Sequence, residues 1–187
     1  MRRFLHIGLM LSLIALLPLS SCKKENGETP SQGVPTEYFI SGKFQGNQVE
    51  ATTKAPVNVS TTEGLTCLIA LSNPQDYALI GIGSTSFYEA SDILALKGKS
   101  LTYGMGRDQA MFVWFEGGAM FSSNWTVQDG NSNFKVTDVV EVGTNGTGQR
   151  TFALRGSFQC KVKDNVNAVN TTMLNGSFAI LVEENNI

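Results

Sequence analysis

The chain has 187 residues with 14 basic and 16 acidic side chains, and 42% of it is hydrophobic. That length suits one domain with a sizeable core, and a formal charge of -2 without a basic tract argues against a nucleic-acid partner. The only histidine is His6, near the N-terminus, so the rest of the chain lacks the commonest general base and the commonest metal ligand. This argues against an enzyme and gives no reason to expect a metal or a cofactor.

Basic Met1-Arg2-Arg3 opens the chain, and residues 4–19 are apolar apart from His6, Gly8, Ser12 and Pro18. The run falls short of the ~20 residues that span a bilayer as a helix and has the layout of a secretory signal peptide. It closes on Leu19-Ser20-Ser21-Cys22, which resembles the lipobox of bacterial lipoproteins. The resemblance implies diacylglycerol on the Cys22 sulfur, cleavage before Cys22 and acylation of the freed amino group, hence an outer-membrane lipoprotein held by its lipid. More than one acyl chain makes such an anchor stable. An ordinary signal peptide cut after Ser20 or Ser21 is the alternative.

Residues 22–36 follow as a polar tether with Gly27, Pro30, Gly33 and Pro35, too poor in apolar side chains to pack on their own. Lys23-Lys24-Glu25 resembles the charged leader of surface-exposed lipoproteins of Bacteroidota-type bacteria. Periplasmic-facing and surface-exposed orientations both stay open. The expected organisation is a signal peptide at 1–21, the lipidated cysteine and tether at 22–36, and a single domain at 37–187.

From residue 38 onward, short period-2 segments separated by turn residues predict an all-β domain, an antiparallel β-sandwich or else a partly open barrel. Residues 38–44 and 48–53 flank a hairpin turn at Gly46-Asn47, and residues 57–62 and 65–72 flank a second at Glu63-Gly64. Asn73-Pro74-Gln75-Asp76 is a strong turn leading into a strand at 77–84. Residues 86–97 hold a short helix or a strand, with Ser86 and Glu89 spaced as a capping box and Gly98 as a stop.

Residues 110–116 are almost wholly apolar, the mark of a strand buried on both faces. Gly117-Gly118 breaks the run, and a strand resumes over 119–127. Residues 134–142 alternate in part and 151–163 alternate well, with Phe152, Leu154, Phe158, Cys160 and Val162 on one side. Residues 172–182 repeat that pattern through Leu174, Phe178, Ile180 and Val182, with Gly176 standing where Gly156 stands in the earlier strand. Cys67 and Cys160 sit on the apolar parity of their strands, and an exported compartment would let them pair. A disulfide and two small core thiols are both open.

Residues Leu19 to Cys22, Ile40-Ser41-Gly42-Lys43-Phe44, Arg155-Gly156-Ser157-Phe158 and Leu174-Asn175-Gly176-Ser177-Phe178 together resemble the small β-rich lipoproteins of Bacteroidota-type bacteria. The resemblance covers most of the domain. It implies fold and location and carries over no activity and no site residues.

Patterns that point to chemistry are incomplete. Asp129, Asn131 and Asn133 share the spacing of calcium ligands, but Phe134 and Val140 stand where glycine and glutamate are needed. Ser132 and Lys135 match Ser-x-x-Lys without its companion motifs. Gly81-Ile82-Gly83 and Gly104-Met105-Gly106 lack the third glycine of a phosphate loop. Asp92, Asp108, Glu116, Asp138 and Glu141 would serve a histidine-free hydrolase only if two of them faced each other across a cleft.

Aromatic rings are the remaining lead, since sugars stack on flat exposed rings. Trp125, in polar Ser123-Asn124-Trp125-Thr126, is the first candidate, with Tyr103 and Tyr88 near glycine-rich turns; the alternative is that Trp114 is core and Trp125 a half-buried strand residue. The expected role is a non-catalytic envelope module that binds or scaffolds. Its partners would be the membrane through the lipid and either a glycan or another envelope protein.

Overall fold

The computed structural model describes residues 33–58, 63–167 and 170–185. The expected signal peptide, Cys22, the expected tether up to residue 32 and residues 59–62 of the second expected hairpin lie outside the described residues, as do the side chains of Val57, Asn58, Asn170 and Leu174. What is described is all-β. The strands are β1 (Tyr38–Phe44), β2 (Asn47–Thr53), β3 (Val57–Asn58), β4 (Leu65–Ala70), β5 (Tyr77–Ile82), β6 (Ser100–Tyr103), β7 (Gln109–Glu116), β8 (Ala119–Ser122), β9 (Asn133–Thr144), β10 (Arg150–Asp164) and β11 (Asn170–Glu183). One short helix, α1 (Ala90–Leu94), lies between β5 and β6.

The strands form a single sheet in the order β2-β1-β11-β10-β9-β6-β7-β5-β4-β3, with β8 paired to both β7 and β10. Pairing among the described strands is antiparallel with one correction, β6 beside β7, where Thr102 and Tyr103 run parallel to Gln109 and Ala110. Far from that junction, β3 and β4 pack against β1, β2 and β11, so the sheet folds over onto its own core.

Alternation in the sequence becomes this core directly. Phe152, Leu154, Phe158, Cys160 and Val162 of β10 and Phe178, Ile180 and Val182 of β11 are all buried. β7 buries Ala110, Phe112 and Trp114 on one side of its pleat, while on the other Val113 is buried between half-buried Met111 and Phe115, so its apolar run is only partly buried on both faces. Rings then join the halves of the sheet, Phe112 to Phe158 at 4.9 Å and Phe44 to Phe121 at 4.8 Å between centroids.

Turn chemistry sets the strand ends. The β1–β2 hairpin turns at Gln45-Gly46, both at positive φ (49° and 83°), with Phe44 opposite Asn47. It falls one residue before the expected Gly46-Asn47, because a two-residue turn needs two left-handed positions and Gln45 takes the first. Gly117-Gly118 makes the corresponding turn between β7 and β8. At 73–76 the expected turn forms, with the Asp76 N–H donating to the Asn73 carbonyl at 2.9 Å.

The helix alternative at 86–97 holds, over fewer residues. Its box is Glu89 with Asp92 rather than Ser86 with Glu89: the Glu89 N–H donates to Asp92 Oδ2 at 3.1 Å. Ile93 and Leu96 are buried beneath it.

Cys67 and Cys160 are free and buried, so the disulfide alternative is corrected in favour of core thiols. They sit in different surroundings, Cys67 beside the Leu181 backbone and Cys160 beside Tyr103. Arg155 Nη2 donates to the Gly33 carbonyl at 2.7 Å, which fixes the end of the expected tether on β10.

Candidate functional site

Between β7 and β10 the sheet forks. At one end the two strands are joined through β6 and β9, at the other through β8. Along β10 this leaves Lys161 between the residues paired with β9, ending at Gln159, and those paired with β8, beginning at Lys163. Backbone donors and acceptors facing such a gap need partners.

The segment after β8 supplies them. The expected strand at 119–127 ends at Ser122, whose Oγ accepts the Asn124 N–H at 3.2 Å and starts a 3-10 turn, Ser123–Trp125. Ser123 Oγ accepts the Phe112 N–H at 2.9 Å, completing β7. Gln128 completes β10: its Oε1 accepts the Lys161 N–H at 2.9 Å, and its Nε2 donates to the Lys161 carbonyl at 2.9 Å and to the Ser123 carbonyl at 2.8 Å. One amide side chain thus replaces a strand neighbour.

A cleft of about 360 Å3 lies over this filled gap. Tyr103 and Gly104-Met105 line one side and Asn124, Thr126, Val127 and Gln128 the other. The lining holds no charged side chain. Within it, Asn124 Oδ1 is buried without a hydrogen-bond partner, while Asn124 Nδ2 has only the Met111 sulfur at 3.5 Å. An orphan amide carbonyl is costly.

Large apolar side chains are exposed around the same cleft: Met105 at 50%, Trp125 at 43% and Val127 at 86%. Trp125 stands between two lining residues, Asn124 and Thr126, on the short 3-10 turn. A second cleft of about 250 Å3 shares Thr126 and is otherwise lined by Lys161, Thr171 and Thr172. Lys161 Nζ is 3.0 Å from Asp129 Oδ2, and this pairing is the main cause that holds the Asp129 carboxyl below its ordinary value.

The three aromatic candidates separate. Trp125 is exposed on the 3-10 turn, which corrects the alternative of a half-buried strand residue. Tyr103 lines the cleft but packs edge-on against Phe134, and its hydroxyl lies 2.8 Å from the Asn133 carbonyl and 3.1 Å from that of Gln159. Burial raises its pKa, so it stays a donor that fixes the cleft floor. Tyr88 is corrected out of the set: it is 2% exposed, its hydroxyl donates to the Arg107 carbonyl, and the Arg107 guanidinium covers its ring. The ring fills the space that Gly83 leaves open, where a Cβ would lie 2.1 Å from the Tyr88 hydroxyl oxygen.

The other patterns resolve into structure. Asp129 Oδ1 accepts the Asn131 N–H at 3.0 Å and closes a turn, and among the described residues no group of three or more histidine, cysteine or acidic side chains is placed to hold a metal. Ser132 bonds Asp129 in that turn, while Lys135 stands exposed on β9. The five acids of the hydrolase reading have other partners: Asp92 with Arg107 at 2.7 Å, Asp108 with Lys99 at 3.7 Å, Asp138 with Lys97 at 2.8 Å, Glu141 with Arg150 Nε at 2.9 Å, and Glu116 with the Trp114 indole N–H at 3.0 Å. Neither cleft beside Trp125 is lined by a carboxylate.

Asn124 and Gln128 had no signature in the sequence beyond the polar interruption that contains them. Compared with protein-family models, with curated proteins and with solved structures, the chain gives no match.

Proposed function

We propose that the chain is an envelope-anchored, non-catalytic lipoprotein whose β domain binds glycan at the cleft beside Trp125. The anchor rests on Leu19-Ser20-Ser21-Cys22 and the apolar segment before it. The binding role rests on one observation: an exposed indole beside an uncharged cleft lined by amides and hydroxyls. A pyranose has the complementary surfaces, an apolar C–H face for the indole and hydroxyls for the amides.

The test is affinity electrophoresis of the full chain through gels containing single polysaccharides, beside a Trp125→Ala variant with unchanged thermal unfolding. Retardation by a polysaccharide in the parent and not in the variant is expected. Equal mobility in every gel would leave the glycan reading without support and turn attention to an envelope protein as partner.

A further inference from the structure

The two clefts share Thr126, and the main chain of Lys161, which lines the smaller, is bonded to Gln128, which lines the larger. They are therefore neighbouring lobes of one surface, built from different elements. The larger is formed by the 3-10 segment and the turn after β6, the smaller chiefly by the paired strands β10 and β11, where Lys161 stands opposite Thr172.

Their chemistry differs in a useful way. An exposed ring, Trp125, stands beside the larger lobe, whose lining of amides and hydroxyls is enough for one sugar. The smaller is lined by three threonines and by an ammonium already neutralised by Asp129 at 3.0 Å. A neutral ion pair with hydroxyls gives donors and acceptors but little net attraction for an anion. It suits the hydroxyls of a neutral sugar.

We infer that the site takes a neutral oligosaccharide rather than a single sugar or an acidic glycan, with one residue on Trp125 and the next over Thr171, Thr172 and the Lys161–Asp129 pair. This inference rests on the glycan reading above. The Trp125 lobe supplies the base affinity for any length, and the threonine lobe supplies the gain on lengthening the chain.

Isothermal titration of the full chain with β-1,4-linked oligomers of glucose, mannose, xylose and N-acetylglucosamine, from monomer to hexamer, and with oligogalacturonate as the acidic probe, tests this. Affinity should rise about tenfold or more between monomer and longer neutral oligomers, with no preference for oligogalacturonate. The double variant Thr171→Val, Thr172→Val, which keeps side-chain shape in a strand, should lose that gain while its monomer affinity stays at the parent value. Length-independent affinity, a full gain in the double variant, or preference for the acidic oligomer would overturn the two-lobe inference while leaving a glycan site at Trp125. Absence of binding by every oligomer, together with unretarded migration in polysaccharide gels, would overturn the glycan reading and this inference with it.

Discussion

Phe178 of β11 stands directly opposite Gly156 of β10, and a Cβ placed on Gly156 would lie 2.4 Å from the Phe178 ring and 2.0 Å from the Lys135 carbonyl oxygen. The arrangement is reciprocal: Phe158 stands opposite Gly176, where a Cβ would fall 2.6 Å from the Phe158 ring. Each strand's glycine makes room for the other's phenylalanine, which explains the repeated Gly-Ser-Phe. Gly156→Ala should therefore destabilise the domain by about 1–3 kcal/mol or more through overpacking. Gly130→Ala, with open space around it, should stay within about 0.5 kcal/mol. Urea unfolding of both variants measures the difference, and equal midpoints would refute the packing argument.

Gln128 completes the hydrogen bonding of Lys161 and Ser123 with one amide. Gln128→Ala leaves these groups without their partner and should destabilise by about 1–3 kcal/mol. Gln128→Glu, which turns an acceptor toward two carbonyls, should do no better. Amide hydrogen exchange reads the cause locally: the Lys161 N–H should lose protection in Gln128→Ala before distant β10 amides do.

Burial pushes both thiols up to about 12, and the thiolate is the reactive form. In the full chain carrying Cys22→Ser, Cys67 and Cys160 should resist an aromatic disulfide reagent at neutral pH and react together in denaturant. Absence of reactive thiols in denaturant would reveal a disulfide instead.

Several carboxyls are held below their ordinary value. Asp92 is lowered first by the Glu89 N–H and then by Arg107, Glu141 by Arg150, Asp129 by Lys161, and Asp164 by the Val166 N–H. Their stabilisation is complete above the unfolded-chain value of about 4 and is lost as pH falls through the lower folded values. The urea midpoint should stay level from neutral pH to about pH 5 and decline below about pH 4, with a shallower decline in Asp164→Asn. A midpoint that rises on acidification would contradict this.

The strands of the core were legible wherever one face is buried, as in β10 and β11, because alternation there is the packing itself. The pairing of Gly156 with Phe178 was not, since it depends on register. β6 escaped notice because four residues between Gly98 and Gly104 carry too short a pattern, and its neighbour in the sheet is set by the fork. Glycine beside Tyr88 suggested an exposed turn, yet Gly83 is small so that the ring can enter. Trp125 was visible as an aromatic in a polar segment. Asn124 and Gln128 were not, because an amide in such a segment looks the same whether it meets solvent, a strand edge or a cleft.

On the glycan reading, Trp125 itself meets the ligand. Trp114 is 1% exposed and Trp125 43%, so acrylamide should quench chiefly the second. The most direct measurement is quenching of the full chain with and without a saturating amount of a polysaccharide that retards it, repeated in Trp125→Phe to confirm which ring responds. The account predicts that the glycan shields the quenchable tryptophan and shifts its emission to shorter wavelength. Unchanged quenching while the glycan is demonstrably bound would place the site elsewhere and contradict it.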